Sequence, residues 1–226
     1  MFLRVGHRGA KAYEVENTLK SFEKAIKIGV NAIEFDVRKS KDNKIVVIHD
    51  DNLKRVFGKN IPVNETTLKD LKQLSENRIP TLQEALKFID RRVAKILIEL
   101  KETGYEKDIL NIIKTEKLKD RVIVISFHEQ AILNIREIDK EIETGLIYIK
   151  YKNPVETAVR FNAGYLVPLY RFIHTKDIEK AHKNNLQVIV WTINTEQEAM
   201  NYIAKGVDGI ASDKPDIFSI TLKTNS

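Results

Sequence analysis

Short apolar runs rich in Val and Ile alternate along the chain with longer stretches in which apolar residues return every three or four positions. The short runs at 2–7, 32–37, 95–100, 122–127, 145–149, 165–169, 187–193 and 209–212 predict strands. In the stretches between them, Leu19, Phe22, Ala25 and Ile26 share one helical face, as do Ile109, Ile112 and Ile113. Strands alternating with helices imply parallel strands joined by crossover helices. Eight such units in 226 residues predict an α/β protein with a single (β/α)8 TIM barrel spanning the chain.

One segment breaks the alternation. Residues 44–49, Lys-Ile-Val-Val-Ile-His, look like a strand, yet only six residues separate them from Val37. That is too short for a parallel crossover, so the segment must return as a hairpin on the second strand. A two-residue turn at Asp42-Asn43 pairs residues whose numbers sum to 85 and sets His49 opposite Asp36. A slip of one residue would give Val37 as the partner. Beyond the hairpin, 51–79 is polar with one helical stretch at 67–74, and reads as an insertion over the top of the barrel. Thr81 followed by Glu84 is a capping-box pattern that starts the next helix.

Composition narrows the chemistry. Hydrophobic residues make up 42% and charged residues 31%, which suits a globular domain with one large core. With no cysteine, disulfides, thiolate metal sites and a cysteine nucleophile are excluded, so any metal must sit on oxygen or imidazole. The net charge of +6 comes from 38 basic against 32 acidic residues, interleaved as in Lys20-Ser21-Phe22-Glu23-Lys24. Without interspersed aromatics this pattern reads as solvated helix faces, not as a nucleic-acid surface. The first residues hold no apolar run long enough for a leader or a membrane span, so a cytoplasmic protein without stable membrane insertion is expected. Oligomeric state is not legible.

In such a barrel, the active face lies where the strands end. There the sequence sets His7, Arg8 and Gly9, then Glu34 and Asp36, then His49, then Glu99 and Lys101. Glu34 and Asp36 are two apart and face the same side of their strand, as do Glu99 and Lys101. Three carboxylates sharing one space repel one another unless a cation neutralises them, and a hard divalent ion, Ca²⁺ or Mg²⁺, fits oxygen ligands. Arg8 and Lys101 suit a phosphoryl group, and His7 and His49 suit proton transfer near neutral pH. Phe127 and Trp191 stand at strand ends as substrate contacts or as barrel packing. Glu16-Asn17-Thr18 reads as a helix start capped by Asn17 or Thr18, Asp50 and Asp51 read as loop residues, and His128, His174 and His182 read as structural or exposed.

The ordered segments His7-Arg8-Gly9, Glu16-Asn17-Thr18, Glu34-Phe35-Asp36-Val37, Val47-Ile48-His49-Asp50, Ile79-Pro80-Thr81-Leu82 and Ile98-Glu99-Leu100-Lys101 resemble the motifs of glycerophosphodiester phosphodiesterases. So do Ser126-Phe127, Trp191-Thr192-Ile193-Asn194, Gly206-Val207-Asp208-Gly209-Ile210 and Ser212-Asp213-Lys214-Pro215. The resemblance implies a barrel with its insertion at about 51–79. It implies His7 and His49 as general acid and base, Glu34, Asp36 and Glu99 as ligands of one divalent cation, and Arg8 and Lys101 as phosphate contacts. The implied reaction is hydrolysis of small glycerophosphodiesters to glycerol 3-phosphate and an alcohol. Residues 10–15 lack the glycine and proline that often precede the Glu-Asn-Thr segment, and the insertion is short. The alternatives are a related phosphodiesterase acting on lysophospholipids, a noncatalytic barrel that binds a phosphate ligand, and a metal-independent phosphosugar isomerase or lyase.

Overall fold

The computed structural model describes residues 1–219. Eight parallel strands close into a barrel: β1 Leu3–His7, β2 Ala32–Lys39, β4 Lys95–Leu100, β5 Val122–Ser126, β6 Glu143–Tyr148, β7 Tyr165–Pro168, β8 Gln187–Val190 and β9 Gly209–Ser212. They run in the order β1-β9-β8-β7-β6-β5-β4-β2, and the pairing of β1 with β2 closes the ring. The expected (β/α)8 barrel is therefore the observed fold, with strand ends differing by at most three residues from the sequence reading. Among the described residues no helix is long and apolar enough to cross a membrane.

The period-two pattern of each strand sorts its side chains into two cores. Leu3, Val5, Ala32, Leu97, Ile123, Ile125, Ile147, Val167, Ile189 and Ala211 fill the barrel. The residues between them face the helices. Phe35 meets Phe22 of α1 (Leu19–Ile28) at 5.5 Å between ring centres, and Ile98 and Val124 join the same cluster. The helices α5 (Glu106–Thr115), α6 (Glu129–Ile138), α7 (Pro154–Arg160), α8 (Thr175–Lys183) and α9 (Glu196–Ala204) complete the outer layer.

The hairpin strand β3 (Ile45–Val47) pairs antiparallel with β2, but its register differs from the expectation. Val37 pairs with Val47 and Lys39 with Ile45, so paired numbers sum to 84. The cause is a three-residue loop, Lys41-Asp42-Asn43. Ser40 N donates to Lys44 O at 2.9 Å, and Asn43 takes the left-handed conformation at φ 58°. A type I turn followed by one left-handed residue is the common three-residue hairpin, and asparagine tolerates that φ. Ser40 Oγ fixes it by donating to Asp42 Oδ1 and accepting from Lys44 N. The shift runs opposite to the Val37 slip and places Ile48 N on Asp36 O at 3.0 Å. His49 remains beside the upper end of β2.

Residues 51–79 carry α2 (Lys54–Phe57), which the sequence reading missed, and α3 (Leu68–Leu74). Leu53, Val63, Leu71 and Ile79 close with Val46 and Ile48 into a hydrophobic cluster of their own. The chain then re-enters the barrel through α4 (Leu82–Ile89). Here Thr81 Oγ1 accepts from Glu84 N at 3.1 Å, and Glu84 Oε2 accepts from Thr81 N at 2.8 Å. Thr81→Ala is expected to lower stability by about 1 kcal/mol, the usual worth of an N-cap. Denaturant unfolding measures it, and an unchanged midpoint would show the capping box contributes nothing.

Candidate active site

The inward face of each strand continues upward past the apolar core into polar chemistry. On β1 the series Leu3, Val5 ends at His7, and on β2 Ala32 is followed by Glu34 and Asp36. On β4, Leu97 is followed by Glu99 and then Lys101; on β9, Ala211 is followed by Asp213. Register brings these together, since His7 lies beside Glu34 and Asp36 beside Glu99 on neighbouring strands. Glu34, Asp36 and Glu99 each offer a carboxylate oxygen within 4.8 Å of the others, and all three are buried.

At that spacing two like charges repel by roughly 3–4 kcal/mol at an effective dielectric constant near 20. Their proton affinities carry the imprint. Burial, followed by the charges of Asp36 and Glu99, raises Glu34 well above the usual carboxylate range. Burial and then Asp36 push Glu99 up to about 7 against the pull of Lys101. Burial acts the same way on Asp36, but Arg8, Lys101 and His49 outweigh it and bring it down to about 2. Glu34 Oε1 and Asp36 Oδ1 are buried with no hydrogen-bond partner. Buried oxygens of that kind call for an occupant, and a hard cation with oxygen ligands fits this donor set.

A turn with unusual backbone shapes the first wall. Arg8 and Gly9 have φ of 52° and 84°. A Cβ on Gly9 would stand 2.4 Å from Ser21 Oγ, which leaves glycine as the residue that fits. Ser21 Oγ donates to Arg8 O at 2.8 Å and accepts from Ala10 N at 2.9 Å, and Arg8 N donates to Glu34 Oε2 at 2.9 Å. The Arg8 guanidinium donates to Glu16 at 2.9 Å and lies 3.1 Å from Asp36. Lys101 Nζ donates to Glu99 and stands 3.6 Å from Asp36 Oδ1.

Both histidines are held by carboxylates. His7 Nδ1 lies 2.6 Å from Asp213 Oδ1, and His49 Nδ1 lies 2.6 Å from Asp50 Oδ1. Burial lowers the pKa of both rings, so each is neutral near pH 7. An ionised carboxylate only accepts hydrogen bonds, which assigns the proton of each neutral ring to Nδ1 and leaves Nε2 as the free base. Burial would raise Asp213, but the hydrogen bond to His7 and its charge hold it down at about 2. Asn194 fixes Asp213 by donating to Oδ2 at 3.2 Å and accepting from its backbone N at 2.9 Å.

The sequence reading missed several of these residues. Asp50 is not a plain loop residue, because it bridges His49 and Arg55 Nε, the latter at 2.7 Å. Glu16 and Asn17 are more than a helix start. Thr18 is the cap, while Asn17 at φ 58° donates to Asp36 Oδ2 at 2.8 Å and accepts from Asp36 N. Glu16 receives Arg8 on one side and two donors of Arg55, at 2.8 and 2.6 Å, on the other. The period-two continuation from Ala211 could have found Asp213. Nothing local signals Arg55, whose role depends on how 51–79 folds back. His174 caps α8, His182 meets Asp208 and His128 meets Lys101 O.

His7, Arg8, Glu34, His49, Glu99 and Lys101 rim a cavity of about 140 Å³ whose floor is the apolar barrel core. Phe127 and Trp191 form its far wall, edge to face at 5.8 Å. Trp191 Nε1 is tied to Val167 O at 2.8 Å, and Phe127 is 40% exposed. Eight of the nine residues that the sequence reading named as candidates thus line one space, and the ninth, Asp36, lies fully buried behind it with a carboxylate oxygen within 4.8 Å of those of Glu34 and Glu99.

Residues 7–217 match the glycerophosphoryl diester phosphodiesterase family. The chain belongs to that family. It is accordingly an enzyme, a phosphoric diester hydrolase. It is 30% identical to a glycerophosphodiester phosphodiesterase of Caldanaerobacter subterraneus subsp. tengcongensis, over 95% of both chains. The glycerophosphodiester phosphodiesterase of Thermotoga maritima superposes with a TM-score of 0.84 at 31% identity, covering 98% of this chain and 99% of that one. A phosphodiesterase of Oleispira antarctica, solved in complex with its product sn-glycerol-3-phosphate, superposes with a TM-score of 0.85 at 26% identity, covering 98% and 96%.

The carboxylate cluster predicts an unusual pH response. Carboxyl groups in unfolded chains titrate near about 4.3, so a Glu99 held at about 7 takes up a proton on folding. Its contribution to stability is therefore present below pH of about 4 and lost as pH rises through about 7. The buried histidines titrate with the opposite slope, so the comparison must be with Glu99→Gln, which keeps them. In chelator, the wild type should lose stability relative to Glu99→Gln as pH rises through that window, and a divalent cation should reverse the difference. Thermal melts across pH measure this, and a constant difference in chelator would contradict the cluster's electrostatics.

Proposed function

We propose that this enzyme hydrolyses glycerophosphodiesters to glycerol 3-phosphate and an alcohol, using one divalent cation, Ca²⁺ or Mg²⁺, bound by Glu34, Asp36 and Glu99. The observation that carries the reading is the meeting of two features in one cavity. Three buried carboxylates, two of them with an unpartnered oxygen, stand beside two imidazoles whose Nδ1 atoms are each engaged by an aspartate. A bound cation would supply Lewis-acid stabilisation of charge on the phosphoryl oxygens.

The protein's own groups do the rest. Lys101 and Arg8 place positive charge at the cavity edge for the nonbridging oxygens, and Arg8 does so while anchored on Glu16. One histidine removes the proton from the nucleophile through its free Nε2, the nucleophile being water, or the free glycerol hydroxyl followed by water that opens the cyclic phosphate to glycerol 3-phosphate. The other, once protonated, returns a proton to the leaving alkoxide. Asp213 and Asp50 keep the two rings in the Nδ1–H form and offset the charge when a ring is protonated. Phe127 and Trp191 shield one side of the glycerol unit. A cavity of about 140 Å³ is small beside the roughly 300 Å³ and more of drug-sized sites. It suits glycerol phosphate, with the alcohol at the mouth. The catalytic unit is one domain, with 51–79 as the insertion that anchors its first wall through Arg55.

The test is release of glycerol 3-phosphate from glycerophosphodiesters, with His7→Ala and His49→Ala assayed beside the wild type. Chelator should abolish turnover and a divalent cation restore it. Each histidine variant should cost about 10²-fold or more with an alkyl leaving group. With a nitrophenyl leaving group, the variant that lacks the acid should be largely spared. Full turnover in excess chelator, or equal losses for both variants on both substrates, would refute the reading.

A further inference from the structure

Three of the eight large exposed hydrophobic side chains among the described residues lie on one arc of the barrel's upper rim. Phe127, Ile149 and Phe172 are 40%, 46% and 39% exposed, and they follow β5, β6 and β7, three neighbouring strands of the ring. The second and third of these loops touch, with Lys150 Nζ 4.9 Å from the centre of the Phe172 ring and Leu169 N donating to Tyr148 O. Phe127 reaches them through Trp191, on which it packs and whose O accepts from Tyr170 N. Segments 127–128, 149–153 and 169–174 carry Lys150, Lys152 and Arg171 and no acidic residue. The carboxylates that flank these segments have partners: Glu129 accepts from Tyr151, Glu198 from Tyr170 and Asp177 from His174 N, and Glu156 pairs with Lys180.

We propose that this arc docks the enzyme on an anionic lipid surface, with Ile149 and Phe172 entering the acyl boundary and Lys150, Lys152 and Arg171 among the headgroup phosphates. Apolar tips on separate loops, each flanked by a long basic side chain, suit a soft planar phase that accepts several tips at once. Three tips are far fewer than the roughly 20–30 residues a side of a stable protein interface. The charge matches an anionic leaflet, near which each basic side chain raises partitioning by about fivefold. Phe127 joins the arc to the cavity wall, so docking turns the mouth of the site toward the lipid. The inference is independent of the hydrolytic reading, because binding is measured without turnover.

Co-sedimentation with vesicles tests it, using equal parts phosphatidylglycerol and phosphatidylcholine against phosphatidylcholine alone. The wild type should sediment with the anionic vesicles, weakly with the neutral ones, and less as salt is raised. The paired change Lys150→Ser with Lys152→Ser should cost about 25-fold in partitioning. The pair Ile149→Ser with Phe172→Ser should cost on the order of tenfold or more. Both pairs should melt like the wild type and cleave a soluble chromogenic diester at its rate, and the single changes Lys152→Ser and Phe172→Ser should give intermediate losses. Failure of the wild type to bind anionic vesicles overturns the proposal, as does wild-type binding by either pair. Loss in the lysine pair without loss in the apolar pair would mark a face for an acidic protein or polyanion, and also overturns it.

Discussion

Three carboxylates held within 4.8 Å of one another at the buried end of two adjacent strands are the constraint around which the rest of the site is arranged. Parallel pairing of β2 and β4 sets Asp36 beside Glu99, so the backbone itself holds the two residues adjacent. Their repulsion explains why cationic groups crowd the same spot. Arg8 and Lys101 stand against Asp36, and Asn17 adds a hydrogen bond to its second oxygen. These partners suffice for Asp36, yet Glu34 and Glu99 remain shifted upward. The imbalance is electrostatic, and a divalent cation is the natural remedy.

Around this centre a second layer of carboxylates orients what the first layer uses. Asp213 and Asp50 fix the two imidazoles, and Glu16 holds Arg8. Arg55 connects this layer, since one guanidinium from the short helix α2 bonds both Asp50 and Glu16. The segment 51–79, with a hydrophobic cluster of its own, thereby braces the walls carrying His49 and Arg8. Loosening Arg55 would release both walls at once.

The barrel was legible because short apolar runs, buried on both faces, alternate with helical stretches. Within the runs, a period of two placed Glu34 and Asp36 on one side of their strand and Glu99 and Lys101 on one side of theirs. The same period extends to Asp213 through Ala211, where a lone carboxylate just past the strand end carries no paired acid or histidine in sequence to mark it. The hairpin register was not legible to one residue, because Asp42-Asn43 suits both two-residue and three-residue loops, and the side chain of Ser40 selects the longer one. Asn17 and Arg55 were hidden for another reason. Asn17 acts through a left-handed backbone one position before a helix cap, and Arg55 acts across 39 residues of chain.

The central claim is that the carboxylate cluster exists to bind one cation, and calorimetric titration of the chelator-treated protein with Ca²⁺ and Mg²⁺ tests it most directly. The account predicts saturable binding of one ion per chain, with proton release at pH 7 as Glu34 and Glu99 are forced to ionise. It also predicts loss of that binding in the Glu34→Gln, Glu99→Gln double variant. Absence of saturable binding in the wild type, or binding that persists in the double variant, would contradict it.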